Sequence, residues 1–232
     1  MNIFSGIIEI FTSTDYMSYV WNGLGKTLLI SVFASLLGLV LGIIVALVKI
    51  SYPKRKKALC VPNAICSAYV TIIRGTPVAL QLFIMVFAIF AIRGFPVEIT
   101  AILTFGINSG AYVSESIRAG ILSVDKGQTE AGLSLGLSGG QTMRLIVIPQ
   151  AIKNVIPTIG NELIALIKET SIVSMVGIVD LTFAAKIIGA GDKMADYLVP
   201  MLVAAIFYLA VVYILTFVIK YVEKRLRRGD RT

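Results

Sequence analysis

Histidine is absent from the chain, cysteine occurs twice, and charged residues make up only 15% of its 232 positions. Without histidine there is no imidazole base and no histidine-built metal cluster, so neither a metal nor a cofactor is expected. The two thiols, Cys60 and Cys66, lie in an apolar stretch that suits small core residues. Set against 57% hydrophobic residues and a mean hydropathy of +0.89, the scarcity of charge excludes an ordinary soluble domain, which carries about 25% charged residues. Lysine and arginine are also missing from Met1 to Asp15, where Glu9 and Asp15 stand instead, so that stretch does not read as a secretory leader.

Long apolar runs fill the space. A bilayer core of about 30 Å needs roughly 20 apolar residues as a helix, and the uncharged run Thr27 to Val48 meets that length. Ala58 to Ile92 reads as a second crossing kinked at Arg74-Gly75-Thr76-Pro77, because proline removes a helix hydrogen bond and disfavours helix in the residue before it. Beyond a turn at 93–98, Ile99 to Leu122 reads as a third crossing, interrupted at Gly106-Ile107-Asn108-Ser109-Gly110. Val155 to Val179 and Tyr197 to Val222 supply the fourth and fifth, while the polar, glycine-punctuated stretch 123–153 is expected as an aqueous loop with short helices.

The net charge of +8 does not indicate nucleic acid, since the basic residues gather at Lys54-Arg55-Lys56-Lys57 and in the tail from Lys220 to Arg231. Both clusters abut apolar runs, as cytoplasmic flanks of membrane spans do. They put the C-terminus in the cytoplasm and, with five spans, the N-terminus outside; the 123–153 loop then also falls in the cytoplasm. The expectation is an all-α membrane protein of five transmembrane helices, with a transmembrane domain over 19–222 and a basic tail over 223–232. Residues 1–18 are expected at the interface, since Ile3, Phe4, Ile7, Ile8, Ile10 and Phe11 share a face at helical spacing.

Two short strings suggest an ATPase. Leu137-Ser138-Gly139-Gly140-Gln141 matches the nucleotide signature of ABC ATPases, and Gly25-Lys26-Thr27 reads like the end of a phosphate loop. That loop needs a glycine five residues earlier, where Val20 stands, and Thr27 opens a membrane span rather than a soluble helix. Gly177-Ile178-Val179-Asp180 is followed by Leu181 instead of the acid that would position an attacking water. The chain therefore does not read as the engine itself.

The same loop carries a longer pattern. Glu130-Ala131-Gly132, three residues, Gly136, nine residues and Ile146-Val147-Ile148-Pro149 resemble the cytoplasmic EAA loop of binding-protein-dependent ABC importer permeases, with Gly132 for the second alanine and Ile148 for leucine. "RGTPVALQLF", "SGAYVSESIRAGILSVDKGQTEAG" and "PQAIKNVIPTIGNELIALIKETS" are similar to the polar amino acid branch of that family. The resemblance implies a type I ABC importer permease fold in the cytoplasmic membrane of a prokaryote, with Glu130, Ala131, Gly132, Gly136 and Pro149 coupling it to the ATPase. It also implies the partners: two ABC ATPase subunits, a second permease copy or paralogue, an extracytoplasmic amino-acid-binding protein and the lipid bilayer. Physically, Gly127-Gln128-Thr129 offers a helix start, Gly136 a turn and Pro149 a rigid start to the next segment.

A substrate site is sought where a broken helix and costly carboxylates meet the membrane interior. If Gly106 to Gly110 breaks its helix, Asn108, Ser109 and Gly110 precede a helix start that suits an α-carboxylate; a packing role is the alternative. Glu162 and Glu169 lie two turns apart on one face of the fourth span, and Glu115 lies on the third. Glu115 has Arg118 one turn on and is a natural ion-pair partner, whereas Glu162 has no basic residue three or four positions away and best suits a cationic substrate group. Asn161, Thr170 and Ser171 add neutral hydrogen-bonding groups. The expected cargo is a basic amino acid such as arginine, lysine or histidine, with glutamine as the nearest alternative. A passive channel or an ion-coupled carrier is the competing class, which has no use for the coupling loop.

Overall fold

The computed structural model describes residues 3–191 and 197–230, and every regular element among them is helical. Residues 1–2 of the interfacial segment and 231–232 of the basic tail lie outside the described residues. Helices α1 (Ile3–Thr12) and α2 (Thr14–Ser51) are followed by α3 (Lys56–Arg74) and by α4 (Val78–Ile84), which runs on as a π-turn, Met85–Ile89. Then come α5 (Val97–Leu122), α6 (Lys126–Ser134), α7 (Gly139–Thr142) with the π-turn Met143–Val147, and α8 (Ile148–Glu169) with the 3₁₀ stretch Thr170–Val176. Helices α9 (Leu181–Gly189) and α10 (Leu198–Leu226) complete the chain.

By length and composition, α2 and α10 can each cross a membrane alone. The α3–α4 pair and the Gly139–Val176 segment with α9 qualify as broken pairs. The expected interruption at Arg74 to Pro77 is present: α3 stops at Arg74, and Pro77, extended at φ −63° and ψ 134°, caps α4. Pro77 has no N–H to continue a ladder, so the chain restarts its helix one residue later.

The expected interruption at Gly106 to Gly110 is absent. Helix α5 runs unbroken from Val97 to Leu122, so the N–H groups of this stretch belong to the helix ladder and no helix terminus points at a ligand there. The glycines serve close approach instead. A Cβ on Gly110 would lie 2.8 Å from the Tyr69 hydroxyl and 2.9 Å from Leu41 Cβ, and one on Gly38 would lie 2.6 Å from Ser109 Oγ. Gly42 faces Val113 in the same way, so the Gly38-xxx-Gly42 face of α2 lies against Ser109, Gly110 and Val113 of α5. Tyr69 of α3 adds a 2.6 Å hydrogen bond to the Ile107 carbonyl. Helix α5 is not among the apolar candidate spans, because it is lined by Thr100, Thr104, Asn108, Ser109 and Ser114, all buried. Thr104 and Ser114 donate to the carbonyls of Thr100 and Ala111 on their own helix, which lets hydroxyls be buried without an unpaired donor.

Contacts cluster the chain into two compact units whose boundaries cut α2, α5, α8 and α10. One unit comprises Met1–Ser35, Pro77–Gly106 and Leu163–Leu215. It holds one core of Ile10, Val20, Leu181, Ala185, Val199 and Val203, and a second of Ile30, Leu82, Phe105, Leu166 and Val173. In α1, Ile10 is buried in the first core while Ile3, Phe4, Ile8 and Phe11 stay exposed; Phe11 stacks on Phe207 at 6.1 Å. The other unit comprises Leu36–Thr76, Ile107–Glu162 and Thr216–Thr232, with Val45, Val70 and Ala111 at its core.

Candidate functional site

The 123–153 loop is built by local capping. Asp125 is the N-cap of α6 and accepts from Gly127 N–H at 2.7 Å, so the helix starts at Lys126, just ahead of the expected Gly127. At its end Gly136 adopts φ +83°, Leu137 N–H reaches the Gly132 carbonyl at 3.1 Å and Gly136 N–H reaches Leu133 at 2.9 Å. These two bonds form a Schellman turn, which needs a left-handed residue where glycine alone carries no Cβ penalty. Ser138 then caps α7 in a reciprocal box with Gln141, at 3.4 and 2.8 Å. The five letters that suggest a nucleotide signature are therefore a helix start. Pro149 does not open a separate segment as expected: the helix runs on from α7 through the π-turn Met143–Val147 into α8, and that π-turn ends just ahead of the residue that lacks an N–H.

Buried Gly132 lies against the following turn: a Cβ there would be 2.6 Å from Thr142 Cγ2. Glycine in place of the pattern's second alanine thus fits a closer approach of α6 to α7. Glu130 and Ala131 are exposed, as are Leu133 and Leu135, the latter at 80%. Two amide contacts tie the loop to α8. Gln150 Nε2 donates to Gln128 Oε1 at 3.0 Å, and Asn154 Nδ2 donates to Ser123 Oγ at 2.9 Å.

The same compact unit contains a cavity of about 720 Å³. Helix α5 contributes Tyr112, Glu115, Ser116 and Arg118 to its wall, and α8 contributes Asn154, Thr158 and Glu162, one residue per turn of a single face. Arg74 from the end of α3 and Arg227 from beyond α10 complete the charged lining. Glu115 is held from two sides: Lys49 Nζ donates to Oε1 at 2.6 Å, and Arg118 donates to Oε2 at 2.7 and 3.0 Å. The pairing with Arg118 expected from spacing is present, and Lys49, distant in sequence, joins it. Arg74 lies over the Tyr112 ring, 5.1 Å from its centroid.

Of the eight substrate-site residues expected from sequence, the cavity brings together Glu115 and Glu162. Asn108, Ser109 and Gly110 are buried within α5 and do not line it; Asn161 is exposed on α8. Glu169 and Thr170 belong to the other compact unit, where Glu169 is half-buried and Thr170 donates to the Ile167 carbonyl at 2.6 Å. Sequence reasoning missed Arg74, Tyr112, Asn154 and Thr158. The last two were signalled by their four-residue spacing to Glu162 on one face of a helix.

A second polar cluster, wholly within the first unit, anchors α9. Asp180 is fully buried and accepts from Thr182 N–H at 3.1 Å, Phe183 N–H at 2.9 Å and the Tyr208 hydroxyl at 3.2 Å. Thr27 Oγ1 accepts from Leu181 N–H at 3.2 Å. Thr27, from the string that reads like a phosphate loop, and Asp180 thus supply parts of one helix cap. Outside the spans, Lys26 Nζ contacts Glu98 Oε1 at 2.9 Å and holds that carboxyl below its ordinary range through the hydrogen bond.

Comparison with known proteins gives these apolar helices and their capped loop a family. Residues 38–228 match the model of the family described as binding-protein-dependent transport system inner membrane component. The arginine transport system permease protein ArtQ of Bacillus subtilis (strain 168) is 41% identical over 215 residues, 91% of this chain and 94% of that protein. The putative glutamine transport system permease protein GlnP of Rickettsia typhi is also 41% identical, over 90% and 93% of the two chains. A crystal structure of an amino acid ABC transporter with histidines aligns with a TM-score of 0.83 at 35% identity, covering 93% of this chain and 98% of that one. At 21% identity, an inward-facing methionine transporter, MetNI, shares the fold with a TM-score of 0.77. With residues 38–228 matched by the family model and 41% identity to ArtQ over 91% of its length, the chain belongs to the binding-protein-dependent ABC importer permeases, whose ATPase is a separate subunit.

Proposed function

We propose that the chain translocates a polar, basic amino acid (arginine, lysine or histidine) across the cytoplasmic membrane of a prokaryote, driven by two ATPase subunits that dock on the 123–153 loop. A second permease copy or paralogue completes the pathway, and an extracytoplasmic binding protein delivers the substrate. In this reading residues 19–222 form the permease domain with five crossings, the N-terminus lies outside and the basic tail lies in the cytoplasm. Support for a basic cargo comes from the ArtQ relative and the histidine-bound structural neighbour.

The observation that carries the site assignment is the cavity where Glu162 shares a wall with Asn154 and Thr158. A carboxylate at span depth is costly unless it faces a partner or a polar cavity, and there it offers a cationic side chain a charge-assisted hydrogen bond. Glu115 belongs to the same wall, but Lys49 and Arg118 engage its oxygens, so it organises the site instead of selecting cargo. Asn161, Glu169 and Thr170, outside the cavity, keep supporting roles in the pathway, whereas Asn108, Ser109 and Gly110 belong to the unbroken, packed stretch of α5. The exposed Glu130, Ala131 and Leu135 around the Gly136 turn supply the ATPase-docking surface, with Gly132 and Pro149 shaping it.

The GlnP relatives favour glutamine as the second reading. Uptake by vesicles containing the full complex separates the two. Glu162→Gln is expected to lower arginine uptake by about tenfold or more while affecting glutamine less. Wild-type arginine uptake in that variant would remove Glu162 from the recognition of charge.

A further inference from the structure

We infer that Arg74 receives the α-carboxylate of the transported amino acid, which rests on the reading of the Glu162 cavity as the substrate site. An amino acid brings a carboxylate whatever its side chain, and the cavity must hold that end too. The helix break that sequence offered for it does not exist, because α5 continues through Gly106 to Gly110.

The cavity wall carries three arginines against two glutamates. Arg118 is committed to Glu115 at 2.7 Å, and Arg227 to Glu223 at 3.2 Å. Arg74 has no carboxylate partner within ion-pair distance among the described residues; its contact is with the face of Tyr112. A guanidinium held over a ring spends none of its N–H donors on a charged partner, and its planar fork suits a carboxylate through two parallel hydrogen bonds. Tyr112 and Ser116 lie one turn apart on α5, so the hydroxyl of Ser116 is on the same wall as the platform under Arg74. An arginine facing a cavity within a membrane-spanning chain is itself expected to have a ligand role, since lipid exposure of the charge is costly.

Arg74 also ends α3 at the Gly75 to Pro77 break, and that position gives the assignment a mechanical meaning. A side chain at a helix terminus next to a non-helical joint can follow its ligand with little rearrangement of the helix behind it. Glu162 on α8 and Arg74 on α3 would then grip opposite ends of one substrate from two separate helices. Bulk and charge at the side-chain end decide between cargoes, while the Arg74 end is common to all.

The test measures ligand binding to the purified permease–ATPase complex without its binding protein, using arginine, glutamine and agmatine, which is arginine without its carboxylate. Wild type is expected to bind the amino acids more tightly than agmatine. Arg74→Met should weaken arginine and glutamine alike by about tenfold or more and leave agmatine unchanged, erasing the preference for a carboxylate. Arg74→Lys keeps the charge without the fork and should restore part of that preference, which also shows that the site still folds. Wild-type affinity for both amino acids in Arg74→Met overturns the inference, and so does equal loss of arginine and agmatine in both variants. If the wild-type complex binds neither amino acid, the substrate reading of the cavity falls first and this inference falls with it.

Discussion

Two glycine-rich stretches of this chain look alike in sequence and fold in opposite ways. Gly106 to Gly110 lies within an unbroken helix, whereas Gly127 to Gly140 is divided into two short helices by a left-handed turn at Gly136. Glycine's helix penalty, about 1 kcal/mol per residue, applies to both. The difference lies in the neighbours. Around the loop stand Asp125 and Ser138, which cap helices. Around Gly110 no residue of α5 caps or restarts a helix, and opposite it lies the small face of α2. Glycine breaks a helix where local groups can satisfy the freed backbone; in a membrane helix, where water cannot, it serves close packing.

The comparison breaks most visibly at the packing glycines. Gly110→Leu or Gly38→Val forces a side chain into Tyr69, Leu41 or Ser109, where even a Cβ lies under 3.0 Å. Overpacking of this kind costs about 1–3 kcal/mol, and either change should lower the thermal midpoint of the purified chain and its yield in the membrane. Gly139→Ala, with nothing within 4 Å of the added carbon, is the matched control and should leave both unchanged. Equal stability of all three variants would mean that the α2–α5 contact does not set the helix path.

At the turn, the cost is conformational. Gly136→Val places a β-branched residue at φ +83°, a strain of about 1–2 kcal/mol that falls on the loop and not on the membrane helices. The thermal midpoint should then hold while co-purification of the ATPase falls severalfold. Gly136→Asn, which tolerates left-handed backbone, should recover most of the binding. A change in midpoint that matches the packing variants would erase the distinction between the two stretches.

This contrast also explains what was legible in the sequence. The loop could be read because capping is local: Ser138 and Gln141 signal a helix start by themselves, and Glu130 to Pro149 is one short continuous stretch of chain. The continuity of α5 could not be read, since the partner that rewards its glycines, Gly38-xxx-Gly42, is far away in sequence. The cavity lies between these cases. Its Asn154, Thr158 and Glu162 face is periodic and visible, but Arg74 and Arg227 come from other elements and no spacing announces them. The same holds for Lys49, which joins Glu115 from α2. Local chemistry thus made the capped loop legible, and only tertiary structure supplied the countercharges of the candidate site.

The smallest expected effect concerns the letters Leu137 to Gln141. If Ser138 is an N-cap, its oxygen accepts from Gln141 N–H and serves only to start α7. Ser138→Ala should then destabilise the loop by about 0.5–1 kcal/mol, at the low end of cap losses because the site is exposed. Ser138→Asp is the sharper probe. Aspartate caps a helix about as well as serine and favours the positive end of its dipole, so loop stability and ATPase co-purification should match wild type. A serine that contacted nucleotide would respond in the opposite way, since a carboxylate in its place would repel phosphate and abolish the interaction. Hydrogen exchange at the α7 amides, measured beside ATPase turnover of the complex, separates the two. Protected amides and unchanged turnover in Ser138→Asp support a cap, and loss of turnover with the amides still protected would return the string to nucleotide chemistry.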